Sequence, residues 1–364
     1  MANDKILKDV QSFNGNNVKA PESPSEITAE WLDDVLFSEN SNSKITSIEL
    51  DKDFGPWSLL GKAVRVKIGY AVSGYEPKSV IVKFQVSTSE PKREGEIYQI
   101  LSESKVSYIP HLYGIFGNGN LVLEDMTPSH SVLKDELTIS QIQNVITSLA
   151  NFQTIFFGDS RIPKNDLSHF VNAIHINMQS WDIFEKRYRN QLGSEVDAFE
   201  WILENPETVS RHYNSHPSSL SHGDVNKSNL LFPNDGSNEP IFIDWQLSAQ
   251  RVIPFDLCYF IVKQLTVEQR REHENALLKK YYELLGSKIK IDYSFDRLVL
   301  DYRACVTRSM LSAVMRVGPR FDSQPNHFEI ADELAIRVIE AVRDHKPVEV
   351  IQELKDQNFI NELF

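Results

Sequence analysis

Ser221-His222-Gly223-Asp224-Val225-Asn226-Lys227-Ser228-Asn229-Leu230-Leu231, followed by Ile241-Phe242-Ile243-Asp244-Trp245, is the stretch on which the reading of this 364-residue chain turns. It sets an Asp and an Asn five positions apart (229 − 224) and a second Asp fifteen positions further on (244 − 229). Between the two halves, Leu230-Leu231-Phe232 and Pro240-Ile241-Phe242-Ile243 are short apolar β-formers. Residues 233 to 238 are almost wholly turn residues, so the segment reads as a hairpin with a longer loop. A hairpin centred near Asp235-Gly236 sets residues equally far from its centre opposite one another. The midpoint of 229 and 244 is 236.5, so Asn229 and Asp244 are expected to face each other across the open end, about 5 Å apart. Asp224 lies just upstream, on the loop feeding the same end.

Three converging oxygen-bearing side chains suit one chemistry in particular. ATP-dependent phosphoryl transfer needs a carboxylate to orient a nucleophile, and an amide plus a carboxylate to hold magnesium. Asp and Asn are also common turn and cap residues, and a lone D-x-x-x-x-N says almost nothing. The full string is far more specific, with His222-Gly223 before Asp224 and an apolar residue before an Asp after the hairpin.

The length suits two domains rather than one compact core. A hydrophobic content of 41% with 10% aromatics is that of an ordinary soluble globular protein. The formal net charge of −13 and a pI near 5.3 argue against general nucleic-acid binding and against attraction to anionic membranes. Local basic pockets for phosphates remain compatible with that balance. Cys258 and Cys305 each sit in an apolar, helical-looking segment and read as buried, reduced thiols. Met1-Ala2-Asn3-Asp4-Lys5 opens no apolar signal region, and no run approaches the ~18 residues that span a bilayer. The expected location is cytoplasmic, with no membrane association.

The polar residues 1–24 read as a flexible lead-in. A helix is expected from Thr28, with Trp31, Leu32, Val35 and Leu36 on one face. Strands follow at 63–68 and 79–84, then a helix through Glu94, Ile97, Tyr98 and Leu101, and a strand over 119–125. Long helical patterns then take over at 139–157, 168–190, 266–286 and 300–316, with only the 229–244 hairpin β in that part. The spacing predicts a first domain over 25–126 and a second over 127–364 that includes the hairpin.

The phosphate-binding elements lie in the first domain. Asp53 to Ala63 sits between two strands, and Gly55 and Gly61 would let its backbone approach a polyphosphate. It resembles a Walker A loop only superficially: five residues separate the glycines, Ala63 replaces the metal-binding Ser/Thr, and a strand follows. A glycine-poor flap over phosphates is one reading, and a plain hairpin turn is the other. Lys83 lies inside Val80-Ile81-Val82-Lys83-Phe84. Either it snorkels to solvent, or its ammonium contacts the α/β phosphates and is held by Glu94 at the start of the next helix, with Glu96 the competing carboxylate. Leu121 to Met126, including Glu124, would be the connector whose backbone binds an adenine edge, or an ordinary strand and turn.

Taken in order, these elements resemble the aminoglycoside phosphotransferase / choline kinase superfamily, and most of all its ecdysteroid-kinase-like (CHK) branch. The residues that carry the resemblance are Ile27 to Leu32, Val80 to Phe84, Glu94 to Tyr98 and Leu123-Glu124-Asp125. To these are added His222-Gly223-Asp224 with Asn229, Ile243 to Gln246, and Pro254 to Phe260. The resemblance implies an α+β, two-lobed protein-kinase-like fold, with a small antiparallel-sheet N-lobe, a larger helical C-lobe, and ATP with Mg2+ between them. It implies that Asp224 is the catalytic carboxylate, Asn229 and Asp244 the metal ligands, and Lys83 with Glu94 the phosphate-positioning pair. By the same resemblance His222 and Asp256 support the catalytic loop. Protein kinases often carry Lys two positions after the catalytic Asp; that position is Asn226 here, and Lys227 or an arginine is left as a possible helper.

The leading expectation is a phosphotransferase moving the γ-phosphoryl group of ATP to a hydroxyl of a small molecule. The alternatives are a pseudokinase that binds nucleotide or a partner, and a metal-dependent hydrolase on the same carboxylates. The acceptor is expected against residues 160–215 and the C-terminal helices, including Tyr302, Arg303, Arg308, Met310, Met315 and Arg316. Those six repeat at helical spacing, which also suits core or surface positions.

Overall fold

The computed structural model describes residues 19–37, 45–51, 61–85, 92–164, 167–237, 239–318 and 326–361. Residues 1–18 of the lead-in, and the part of the flap that contains Gly55, lie outside the described residues. In chain order the elements are α1 (Ala29–Leu36), β1 (Ile45–Asp51), β2 (Gly61–Tyr70), β3 (Ser79–Gln85), α2 (Arg93–Glu103), β4 (Leu112–Phe116), β5 (Asn120–Glu124) and β6 (His130–Ser131). There follow α3 (Ile139–Ile155), α4 (Leu167–Leu192), α5 (Val196–Glu204), α6 (Pro206–Tyr213), β7 (Ser218–Ser221), β8 (Leu230–Pro233), β9 (Ile241–Phe242) and β10 (Ala249–Val252). The chain ends with α7 (Phe255–Gln264), α8 (Val267–Gly286), α9 (Phe295–Arg316), α10 (His327–His345) and α11 (Pro347–Asn361).

These elements form two compact units. One comprises Met1–Val132 with Asn229–Ser248, the other Leu133–Ser228 with Ala249–Phe364. The α+β class expected from sequence holds: the first unit is built on an antiparallel sheet of order β1-β2-β3-β5-β4, and the second is mainly helical.

Alternation along β2 and β3 decides what each sheet face carries. Val64, Val66 and Ile68 point one way with Val80, Val82 and Phe84, and pack with Trp31, Leu32 and Val35 of α1 into a buried core. Thr28 caps α1 by accepting the Trp31 N–H at 3.1 Å, and the Trp31 ring meets Phe116 edge-on at 4.9 Å. The opposite face carries Ala63, Ile81 and Lys83, with Ala63 paired to Lys83 and Ile81 to Leu123.

Three expectations are corrected. The boundary falls after Val132 rather than at 126, and the hairpin belongs to the first unit. Its strand edges find backbone partners there: β8 pairs with β6, and the Phe242 N–H donates to the Tyr108 carbonyl at 2.7 Å. Second, the hairpin register is one residue off, pairing Leu230 with Phe242 and Leu231 with Ile241. Asn229 therefore faces Ile243, whose N–H it accepts at 3.1 Å. Asp244 comes one residue later, in a left-handed conformation with φ 69° and ψ 62°.

Third, the hairpin is not the only β structure of the later chain. β7 and β10 pair in the second unit with Ser221 opposite Ala249. Ser218-Ser219-Leu220-Ser221 has no apolar alternation to announce a strand, yet all four residues are buried. The hydroxyls are satisfied internally, Ser219 donating to the Gln153 carbonyl at 2.6 Å and Ser221 to Asp256 at 2.9 Å. Cys258 and Cys305 are buried free thiols, as expected. Among the described residues no helix is long and apolar enough to cross a membrane.

Candidate active site

In the first unit the site grows from a single strand position. Lys83 stands on the face of β3 away from the α1 core and is 6% exposed, so it is buried and does not snorkel out to the surface. Its Nζ donates to Glu94 Oε1 at 2.8 Å and to Asp244 Oδ1 at 2.5 Å. Glu94 is buried in the first turn of α2, whereas Glu96 is exposed, which settles the choice between them. A second donor, Gln85 Nε2, reaches Glu94 Oε2 at 2.7 Å, and Gln246 Nε2 reaches Asp244 Oδ2 at 3.2 Å. Burial alone would lower the Lys83 pKa, but the two carboxylates outweigh it and raise it above the ordinary lysine value.

The left-handed backbone at Asp244 is uncommon for a residue with a Cβ. It turns the chain at the end of β9, where Trp245 to Leu247 form a short 3-10 turn. Arg93 of α2 ties that turn down by donating to the Ser248 carbonyl at 3.1 Å.

Lys83, Glu94 and Asp244 line one wall of an open cavity. Ala63 and Ile81 from the sheet, and Leu231 and Ile243 from the hairpin, supply apolar surface. Glu124, Asp125, Met126 and Thr127 line it as well, so the segment read as a connector borders the cavity. Its conformation is fixed by Asp125, which accepts from Ser79 Oγ at 2.6 Å and from the Thr127 N–H at 3.0 Å, and pairs with Arg65 Nε at 3.0 Å. The Met126 carbonyl is engaged by the N–H groups of Ser129 and His130 at 3.1 and 2.8 Å. Gly61 opens β2 opposite Gln85. Tyr98 also lines the cavity, and burial pushes its phenol well above the usual range.

In the second unit the loop after β7 presents Asp224. Gly223, at φ 86°, lets the chain turn there. Asp256, fully buried in the first turn of α7, accepts from Ser221 Oγ at 2.9 Å, the His222 N–H at 2.7 Å and the Gly223 N–H at 2.9 Å. His222 is buried, and its Nδ1 accepts the Asp224 N–H at 3.3 Å. Asn226 closes the loop, donating to the Asp224 carbonyl at 3.1 Å and accepting the Ser228 N–H at 3.0 Å. Lys227 is turned to the carbonyls of Lys134 and Asp135, at 3.0 Å each.

The Asp224 carboxylate is half-buried and accepts the Tyr259 hydroxyl at 2.9 Å. Burial would raise its pKa, but Lys263 and Arg308, then the Tyr259 hydrogen bond and His222, hold it below the usual carboxylate value. Of the candidate acceptor residues, Arg308 lies at this loop, donating to the Gly223 carbonyl at 3.4 Å. Tyr302 and Met310 are core, and Arg303 binds the His345 carbonyl at 2.9 Å. Tyr259 and Lys263 were not singled out from sequence, although 256, 259 and 263 follow the i, i+3, i+7 spacing of one helix face.

Hard oxygen donors suit magnesium, and Asn229 and Asp244 are of that kind. Asp244 already presents its carboxylate to a cation, the Lys83 ammonium, so that member of the set suits a positive charge. Among the described residues no three His, Cys, Asp or Glu side chains cluster as a metal cage of their own.

The fold is that of the aminoglycoside phosphotransferases. It matches spectinomycin phosphotransferase APH(9)-Ia, solved with ADP and spectinomycin, at a TM-score of 0.51 and 14% identity, covering 82% of this chain and 93% of that one. It also matches a putative aminoglycoside phosphotransferase from Ralstonia eutropha at a TM-score of 0.50 and 15% identity, covering 87% and 97%.

Within that fold the chain belongs to the DUF1679 family, described as "Uncharacterized oxidoreductase dhs-27", which matches residues 108–346. The sequence contains no G-x-G-x-x-G dinucleotide fingerprint. An uncharacterized kinase-like protein of Caenorhabditis elegans is 27% identical over 174 residues, 45% of this chain and 46% of the relative. The chain thus spans about half the length of that curated relative.

Proposed function

We propose that this protein is an ATP- and magnesium-dependent phosphotransferase that moves the γ-phosphoryl group to a hydroxyl of a small molecule. The observation that carries the reading is the buried Lys83 ammonium, held by Glu94 and Asp244 on the wall of a cavity. A buried lysine between two carboxylates costs stability to assemble. Its use here is to offer a fixed positive charge to the α/β phosphates, as the phosphate-positioning pair of kinases does.

The cavity suits a nucleotide in its other walls. Ala63 and Ile81 on one side, and Leu231 and Ile243 from the hairpin, are apolar surfaces for a flat base. The Glu124–Met126 segment is assigned the base edge, and the flap with Gly55 and Gly61 the phosphates. Asn229 and Asp244 would hold magnesium, which when bound offsets the negative charge on the phosphate oxygens. Asp224 orients the acceptor hydroxyl and takes up its proton. Asp256 and His222 keep that loop in shape, since three of its donors end on the Asp256 carboxylate.

The acceptor would be a small-molecule alcohol, in line with the phosphotransferase whose fold this chain shares, solved with ADP and spectinomycin. The test is ATP consumption with magnesium across a panel of hydroxylated compounds, for wild type, Asp224→Ala and Asp244→Ala. Transfer that is lost in both variants supports the assignment. Tight ATP binding without transfer to any compound points instead to a nucleotide-binding pseudokinase. Phosphate release to water that survives Asp224→Ala excludes a transferase.

A further inference from the structure

The surroundings of Asp224 in the second unit contain more positive charge than the carboxylate needs. Lys263 Nζ donates to the Tyr259 hydroxyl at 2.9 Å, and that hydroxyl donates to Asp224. The Arg308 guanidinium lies 4.6 Å from the centre of the same tyrosine ring, and Ser312, one turn on, meets the Tyr259 hydroxyl at 3.3 Å. One stripe of α7 thus faces one stripe of α9, with Asp224 at its edge.

Among the described residues, neither Lys263 nor Arg308 has a carboxylate within 4.0 Å. Neighbouring arginines differ: Arg297 pairs with Asp301 at 3.0 Å and Arg337 with Glu136 at 2.9 Å. The nearby Asp256 carboxylate is committed to Ser221, His222 and Gly223. Two half-buried cations therefore bear on one carboxylate, in a chain whose formal net charge is −13. Two partly desolvated cations that share a single carboxylate favour an incoming anion and disfavour an amine.

We propose that the acceptor is an anionic hydroxy compound, of the hydroxy-acid or sugar-acid class, whose acid group is held by Lys263 and Arg308 while Asp224 takes its hydroxyl. This rests on the phosphotransferase reading above. In the transfer the acceptor oxygen forms the new bond to the γ-phosphorus. The bond from that phosphorus to the bridging oxygen breaks, its electron pair leaves on ADP, and the hydroxyl proton passes through Asp224 to solvent.

The test uses acceptors matched in carbon skeleton and differing in charge: aldonic acids, the corresponding aldoses and the 2-amino sugars, and hydroxy acids with their diols and amino alcohols. ADP formation and product mass are read with the full chain. The acid member of a set should exceed its neutral and amine partners at least tenfold in kcat/KM. Arg308→Ala and Lys263→Ala should each lower that ratio at least tenfold, through the acceptor KM, with Arg308→Lys restoring part of it. Circular dichroism and affinity for an ATP analogue check that the variants fold. Preferred transfer to an amine or neutral member, or an unchanged ratio in both variants, overturns the anionic assignment and leaves the phosphotransferase standing. Absence of transfer to every member, with ATP still bound, overturns both.

Discussion

Replacing Lys83 with Met keeps the length and apolar stem of the side chain and deletes its charge. What remains is the carboxylate of Glu94, 1% exposed, and that of Asp244, 11% exposed at the side chain, both without the ammonium that contacts them. Removing one partner of a buried ion pair costs about 3–5 kcal/mol, because the surviving charge is uncompensated. Gln85 and Gln246 still donate to the two carboxylates, which places Lys83→Met near the lower end, about 3 kcal/mol. If the cost arises from the stranded charge, Lys83→Met/Glu94→Gln should regain part of it, roughly 1–2 kcal/mol, since the neutral amide is cheaper to bury. Urea unfolding followed by circular dichroism reads both values. Calorimetric titration with an ATP analogue reads the functional side, where losing a charged hydrogen bond worth about 1.5–3 kcal/mol weakens binding roughly 10- to 150-fold. A Lys83→Met protein within about 0.5 kcal/mol of wild type, the noise level for a neutral surface change, would refute the reasoning, as would a double variant less stable than the single one.

Asp256→Ala removes the acceptor of three buried hydrogen bonds; at about 1–3 kcal/mol for each stranded donor, the melting temperature should fall and transfer should fail while ATP-analogue binding persists. Gly223→Ala forces a Cβ onto a residue at φ 86°, and the strain of about 1–2 kcal/mol should appear as a lower kcat with little change in ATP affinity. Asp224 has a depressed folded pKa, so its stabilising contribution is present above the unfolded carboxylate value of about 3.9 and is lost as pH falls through the folded value. The acid limb of kcat/KM should accordingly lie below the usual carboxylate range, and Lys263→Ala, which removes an opposing charge, should move it upward. Lys83 has a raised folded pKa, so its contribution is complete below about 10.4 and is lost only as pH rises through the folded value; stability at pH 9 should match that at pH 7 as far as this group is concerned.

Much of the fold was legible because its signals are local. The alternation of Val64, Val66 and Ile68, the Thr28 cap and the apolar stripe of α1 each follow from neighbours a few residues apart. Lys83 was ambiguous for the opposite reason. Whether a strand lysine snorkels or is buried depends on what covers its face, and the covering carboxylate at Asp244 lies 161 residues away. The hairpin was recognisable from its turn residues, but its register depends on backbone geometry in the loop, so Asn229 met Ile243 rather than Asp244. β7 escaped notice because its serines are buried by specific hydrogen bonds rather than by apolar character. Tyr259 and Lys263 were visible as a helical spacing, yet only the packing of α7 on α9 shows which carboxylate they serve.

The hairpin's membership in the first unit also has a consequence for biosynthesis. That unit takes residues 1–132 and then waits for 229–248, an interval of 116 residues from 132 to 248. At about 5–20 residues per second, the interval lasts on the order of ten seconds on a ribosome. During that time Lys83 has Glu94 as its counter-charge while Asp244 is still unmade, and β6 has no β8 to pair with. A nascent chain arrested before residue 229 should therefore display a protease-sensitive sheet that becomes resistant once the segment through Ser248 has emerged.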